Sequence, residues 1–440
     1  MDPPPAAASI PVPDELLEEI LLRLPTPEAV ARASAACTSF RRVIKARAFR
    51  RRFRALHRPP LLGFMDAVGF HPAQAPHPSA PLAGALAPRA TDFSFVPAVV
   101  SSASYFVPRG VQEDDGEGPR WRPCDVRDGR VLLDWRSLRP GLEVSGISTL
   151  MGSRELVRRK LCLRPKWCNA ADFHLAVCDP LSSRYVLLPT IPQDLAAQPQ
   201  DLLWEFLPVL APCTGDDSEE EPFKVICIAR YRTKLVLFVF PSTTRQWSMV
   251  ESPISPSLYD MSSFDYVRGS FYWTEPYDLS DHLMVLDTRT LKFSTVGLLT
   301  GYHMEIRGLP GQSFDDLRPN AVVMGREGTL EMFSLVCQQG AFALYHTSLQ
   351  NNSQEWKLEK IIQLPGQYHD YSISTVGAAE GFLFFRGAPD GIPIENVDCY
   401  SLEVKTYEIT KVCTKRENTY NPRRALPYFS FPPLLSEPTI

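Results

Sequence analysis

The sequence predicts two unequal parts, a short all-α module at the N-terminus and a large all-β domain of repeated units behind it. Three observations predict this. Leucines fall at helical spacing across the first 55 or so residues, helix signals almost vanish after residue 90, and a strand–turn–strand grammar then recurs every 40 to 60 residues or so. The length agrees, since 440 residues with 44% hydrophobic content exceed a single core, which stops growing near roughly 250 to 300 residues. Forty-one prolines against 24 glycines break the chain into short elements, because proline is tolerated only at helix starts, turns and strand edges.

Residues 1 to 9 read as a disordered tail. The start MDPPPAAASI is acidic and proline-rich, unlike a secretory signal, and no apolar run approaches the roughly 20 residues that span a bilayer. The helical module is expected over 10 to 56. Pro13, Asp14 and Glu15 place a proline and two acids in a first turn. Leu16, Leu17, Ile20, Leu21 and Leu24 follow on what reads as one face, until Pro25 ends the helix. Thr26 as N-cap and Pro27 as first helical residue start a second helix carrying Val30, Ala33, Cys37 and Phe40, and a third stretch runs through Val43, Ile44, Phe49 and Phe53. Helices this few and short need help to close a core, and the expectation is that another protein completes the apolar face.

Residues 57 to 90, rich in Ala and Pro and without a period, read as a connection. From 91 to 435 short β-rich runs recur between Gly, Pro, Asp, Ser and Asn. In VCDPLSSRYVLL, VFPSTTRQWSMV, VLDTRTLKFSTV and DCYSLEVKTYEI, an apolar inner strand meets a polar turn, and an outer strand then tucks an aromatic or leucine between sheets. Repeats near 45 residues built of about four strands are the mark of β-propeller blades. Six blades fit 91 to 435, so a six-bladed β-propeller is predicted, with seven left open. No Gly-Gly or Trp-Asp dipeptide is present, so neither the kelch nor the WD pattern applies literally.

A formal net charge of −4 and a pI near 6.1 give no overall electrostatic footprint for nucleic acid or anionic membrane. The ten cysteines, Cys37, Cys124, Cys162, Cys168, Cys178, Cys213, Cys227, Cys337, Cys399 and Cys413, include no CxxC pair and read as reduced thiols, several buried in strands. A cytoplasmic or nuclear chain is expected. The arginine-rich run 41 to 58 reads as a solvated helical face that pairs with acids in preference to a nuclear-import or nucleic-acid patch. The acidic runs 113 to 117 and 216 to 221 lack EF-hand spacing and read as loops, with Ser218 at most a phosphorylation site. No phosphate loop, G-x-S-x-G elbow or H-E-x-x-H occurs, and His303 and His369-Asp370 read as surface groups, so no catalytic residue, metal ligand or cofactor is assigned. Tyr272, Trp273 and Tyr277 are weak candidates for a target-binding face, against packing between blades.

Residues 10 to 44, IPVPDELLEEILLRLPTPEAVARASAACTSFRRVI, resemble the F-box, with Phe40 in place of the usual tryptophan and Ala36 in place of the usual aliphatic residue. Together with RRFRALHRPPLLGFM, RDGRVLLDW, LAVCDPLSSRYVLLP, GSFYWT and VLDTRTLKFSTV, the chain resembles the large cereal-plant group of F-box proteins with an F-box-associated β-propeller. That resemblance implies a non-catalytic substrate receptor of a Skp-cullin-F-box ubiquitin ligase. Pro13, Leu16, Leu17, Ile20, Leu21, Leu24, Val30, Ala33, Cys37 and Phe40 would meet the Skp-family adaptor, and through it a cullin-RING ligase, while the propeller holds an unidentified target protein. The alternative is a protein- or glycan-binding scaffold acting outside a ligase.

Overall fold

The computed structural model describes residues 12–66, 68–99, 120–136, 169–196, 201, 203–212, 222–252, 264–273, 282–307, 320–325, 328–338, 341–366, 371–389, 396–416 and 425–435. Four helices come first: α1 (Asp14–Leu22), α2 (Pro27–Ala36), α3 (Thr38–Lys45) and α4 (Arg47–Leu56). Thr26 caps α2, its Oγ1 accepting the Ala29 N–H at 3.2 Å, and Pro27 opens the helix as expected. The single third helix expected through Val43 and Phe53 is instead two. Ala46 adopts an extended conformation between them, so α4 turns back and brings Phe49 and Phe53 onto Val43 and Ile44.

Behind the module stand six antiparallel sheets, a six-bladed propeller. The first blade holds β3 (Arg120–Arg127), β4 (Arg130–Arg136), β5 (Leu175–Asp179) and β6 (Arg184–Leu187). The second holds β7 (Leu203–Pro212), β8 (Phe223–Tyr231), β9 (Leu235–Pro241) and β10 (Ser248–Glu251). The third holds β11 (Asp265–Val267), β12 (Ser270–Trp273), β13 (His282–Asp287) and β14 (Lys292–Gly297). In the fourth are β15 (Asn320–Met324), β16 (Leu330–Gln338), β17 (Ala341–Leu349) and β18 (Trp356–Gln363). The fifth contains β19 (Tyr371–Ala379), β20 (Phe382–Pro389), β21 (Asn396–Glu403) and β22 (Ile409–Arg416).

The sixth sheet corrects the expectation for residues 57–90. These are not a featureless connection: they supply β1 (Leu61–Met65), β2 (Phe70–Pro72) and most of the helix α5 (Ala80–Thr91). β1 lies between β2 and β23 (Leu426–Phe429), with Met65 opposite Leu426 and Leu61 opposite Phe429. The ring is thus closed by strands from the two ends of the chain. A five-residue strand whose partner lies some 360 positions away leaves no local period to detect.

The turns explain why the repeat is legible. At the outer turns Asp179 Oδ1 accepts the Leu181 and Ser182 N–H groups at 3.1 and 3.3 Å, and Asp287 Oδ1 accepts those of Arg289 and Thr290 at 2.7 and 3.1 Å. The same turn ends in a left-handed residue in each of the five four-stranded blades: Ser183, Arg245, Leu291, Gln354 and Tyr407, with φ of 55, 54, 57, 54 and 61°. In the second and fourth blades a tryptophan follows two residues later, whereas Tyr185 at that place in the first blade is 39% exposed. Trp247 donates its indole N–H to Pro189 O (2.8 Å) and Trp356 to Gly297 O (2.9 Å), so each tryptophan fastens its blade to the backbone of the blade before.

Inner strands are tied by carboxylates, Asp265 buried and Asp125 half-buried. Asp265 on β11 accepts the Val322 N–H on β15 at 2.8 Å and the Ala378 N–H on β19 at 2.9 Å, joining three blades, while Asp125 on β3 accepts the Leu210 N–H on β7 at 2.7 Å. In consecutive antiparallel sheets the turns between first and second strands, and between third and fourth, leave at one end of the ring. Asp128-Gly129 and Glu380-Gly381, with positive φ at both central residues, are such turns. Arg58, just after α4, donates to Glu380 O at 3.4 Å, so the helical module stands over this short-turn end. By the same alternation the turns from second to third strand and the crossings from blade to blade leave from the opposite end.

Candidate functional site

At roughly 100° per residue, the four leucines and one isoleucine at 16, 17, 20, 21 and 24 span an arc of about 140°. One contact does not cover so wide an arc, and the structure divides it. Leu17 and Leu21 point inward with Leu22, packing with Val30, Val43, Ile44, Phe49 and Phe53. Leu16 and Ile20 point outward at 56% and 60% exposure, and Val12, just ahead of the Pro13 N-cap, is exposed as well at 48%. The prediction of a single docking face through all five is therefore corrected: Leu17, Leu21 and Val30 are module core. Pro13 is exposed, and Leu24, Ala33, Cys37 and Phe40 are half-buried. Val12 was missed by sequence reasoning, because it precedes the Pro13 N-cap and stands outside the helical period.

The core of the module is completed from within the chain. Phe431 and Leu435, just past β23, are buried in the same cluster, with the Phe431 ring edge-on to Phe53 at 6.1 Å between centroids. The expectation that a second protein closes this core is corrected at these two residues. They sit more than 370 positions from α4, beyond any local pattern.

Arginines of the basic run hold α1 in place. Arg42 meets Asp14 at 2.7 Å, and Arg52 bridges Glu18 and Glu19, whose hydrogen bonds, Glu19 first, raise the guanidinium pKa. All are solvent-exposed ion pairs of small individual worth. His57 Nε2 lies 2.9 Å from Leu22 O at the end of α1, and its ring stacks on Phe53 at 4.1 Å. Cys37 sits at the N-terminus of α3, where the backbone amides of Phe40 and Ser39 pull its thiol pKa down.

Between the module and the ring lies a cleft of about 410 Å³. Arg51 and Arg54 of α4 face Asp128, Asp179 and Glu380, over Phe429 and Phe431. Burial, with the nearby Asp128 charge, raises the Glu380 carboxyl pKa.

The target-binding candidates come apart. Trp273 is 6% exposed and packs against Phe264 and Phe293, with centroids 5.2 and 6.1 Å away, so it is inter-blade core and has no surface to offer a partner. Tyr272 is partly buried against the cluster that contains Trp356, and burial raises its hydroxyl pKa. Tyr277, the acidic runs, Ser218 and His369-Asp370 lie outside the described residues, as does the side chain of His303.

One polar cluster resembles a catalytic relay in composition. His346 Nε2 lies 2.9 Å from Glu331 Oε2 and its Nδ1 3.1 Å from Tyr407 Oη, while the ring stacks on Phe333 at 4.4 Å. His346 and Glu331 are both buried, joining the fourth blade to the fifth, so the cluster serves as a polar joint. Among the described residues no three His, Cys, Asp or Glu side chains converge as metal ligands, and no helix is long and apolar enough to cross a membrane.

Residues 12–52 match the F-box domain family. No curated protein matches the chain. Among solved structures it is similar to the NanB sialidase of Streptococcus pneumoniae (9% identity, TM-score 0.31), with 69% of this chain and 62% of that one covered, so it spans under two thirds of that chain. It is also similar to the Aleuria aurantia lectin (9%, TM-score 0.31, 68% and 79% covered). A third is the Nup133 β-propeller domain of Vanderwaltozyma polyspora (8%, TM-score 0.27, 57% and 82% covered).

Proposed function

We propose that this chain, an F-box domain set on a six-bladed propeller, is the target-recognition subunit of a Skp-cullin-F-box ubiquitin ligase. The observation that carries the reading is the pair Leu16 and Ile20, exposed on the first helix of the F-box match with Val12 exposed just before it, while their neighbours Leu17 and Leu21 are already used inside. Two large apolar side chains one turn apart on a helix, with Val12 exposed just ahead of it, suit a helix-in-groove contact, each gaining about 1.5 to 3 kcal/mol on full burial. Half-buried Leu24, Ala33, Cys37 and Phe40 would flank it, and the partner is a Skp-family adaptor that links the chain to a cullin-RING ligase.

The propeller then holds the target. No bond is made or broken by the chain in this role. It raises the effective concentration of the target near a charged ubiquitin-conjugating enzyme. The end of the ring away from the F-box, where the crossings from blade to blade leave, is the face we assign to the target. The setting we propose is the cytoplasm or nucleus, where the free thiols of Cys178, Cys227, Cys399 and Cys413 stay reduced.

Leu16→Asp with Ile20→Asp tests the proposal without touching the core. Co-expression with a purified-tag Skp-family adaptor should recover the native chain in complex and lose the double variant, with both showing the same circular dichroism. Equal recovery of the two would refute the reading. Leu21→Asp is a poor substitute, because it places a charge in the module core and its loss of binding would report unfolding.

A further inference from the structure

The F-box module receives two of its core side chains from the far end of the chain. Residue 429 ends β23, the strand that closes the ring against β1, and Phe431 enters the module two residues later. The path between is fixed: Ser430 N–H donates to Pro60 O at 3.3 Å, Pro432 is buried, and Leu435 N–H donates to Pro432 O at 2.8 Å, turning the Leu435 side chain into full burial. The β1 strand begins at Leu61, just after the module, and pairs with Phe429. Ring closure and completion of the module are therefore one structural event, made by the same pair of strands.

We infer that Phe431 and Leu435 are positioning residues of the adaptor-binding surface, so that the docking face is in working order only in a chain whose propeller has closed. This rests on reading the module as adaptor-binding. A module of four helices no longer than ten residues has little core of its own. Without the two side chains, Phe53 loses its edge-on aromatic neighbour and α4 loses its floor, while α1 loses the packing that turns Leu17 and Leu21 inward and leaves Leu16 and Ile20 outward. Synthesis runs from the N-terminus, so the helices wait for residues made more than 370 positions later. A truncated or unclosed receptor is thereby kept from the ligase.

The experiment uses the full chain carrying Phe431→Ala and Leu435→Ala, beside Leu435→Met as a conservative rescue and Pro433→Ala at an exposed neighbour. Hydrogen exchange is followed in the free proteins, and affinity for a purified Skp-family adaptor is measured by calorimetry. The double variant should exchange at least tenfold faster across residues 14–56 with the five four-stranded blades unchanged, and should bind at least tenfold more weakly. Leu435→Met and Pro433→Ala should stay within twofold of the native chain in both. Unchanged exchange over 14–56, loss of protection spread through the blades, or adaptor affinity within twofold would each overturn the inference. If the native chain itself fails to bind, the ligase reading falls, and the exchange result alone decides whether the tail builds the module.

Discussion

Asp66, at the end of β1, carries a buried charge that faces Lys415 Nζ at 2.8 Å and His71 Nε2 at 3.0 Å. Burial by itself raises the carboxyl, but the contacts with His71 and Lys415 outweigh it and hold the group well below the usual carboxylate range. A depressed carboxyl contributes stability that is complete above its ordinary value of 3.8 and drains away as the pH falls toward its folded value. Asp66→Ala, which leaves Lys415 unpaired, should cost about 3 to 5 kcal/mol near neutrality by urea unfolding. The gap between variant and native chain should narrow below pH 3.8; a gap that widens there would contradict the assignment. Cys37 differs in kind from the strand cysteines: backbone amides lower its pKa, whereas burial pushes Cys178 and Cys227 up. Iodoacetamide should label Cys37 ahead of Cys178 and Cys227 in the folded chain, read by mass spectrometry, and bound adaptor should slow that labelling.

Among the elements, β11 contributes least length and much connection. Its three residues hold Asp265, whose carboxylate serves the backbones of two other blades. Asp265→Ala orphans two amide groups at about 1 to 3 kcal/mol each, so a loss of roughly 2 to 6 kcal/mol is expected by chemical denaturation. A variant as stable as the native chain would mean that the inner strands hold together by packing alone. How far elements were legible follows from the range of the forces that make them. Asp179, Asp287 and the left-handed residues after them act within five positions, so the blade grammar stands in the sequence. Trp356 obeys that grammar too, two residues past Gln354. β1 and β2 were invisible because their reason for being strands is β23. The exposed side of α1 was half legible: periodicity found the helix, but Phe431 and Leu435 help to decide which of its apolar residues face in.

At the scale of the whole molecule, the module and the ring share side chains and hydrogen bonds, and both chain segments between them lead into one sheet of the ring, in contrast to beads on a flexible linker. Small-angle scattering of the free chain should therefore fit one arrangement of module on ring, and a profile requiring an ensemble of module positions would contradict it. Adaptor at one hundred times its dissociation constant should add about 2.7 kcal/mol to the stability of the module, visible as slowed exchange over α1 to α4.

The sheet that joins the two ends of the chain also has a mechanical meaning. A domain hung from one peptide segment is on a swivel, free to twist about a single bond path. Here two segments run from the helices into adjacent antiparallel strands, 57–61 on one side and 429–431 on the other, laced by the pairing of β1 with β23. Torque between whatever grips the helices and whatever rides on the ring is carried as shear across those hydrogen bonds, as in a bracket fixed by two bolts. A rider held on such a bracket presents a constant aspect to anything acting across the gap, and which of its surface groups come within reach is settled by its own shape.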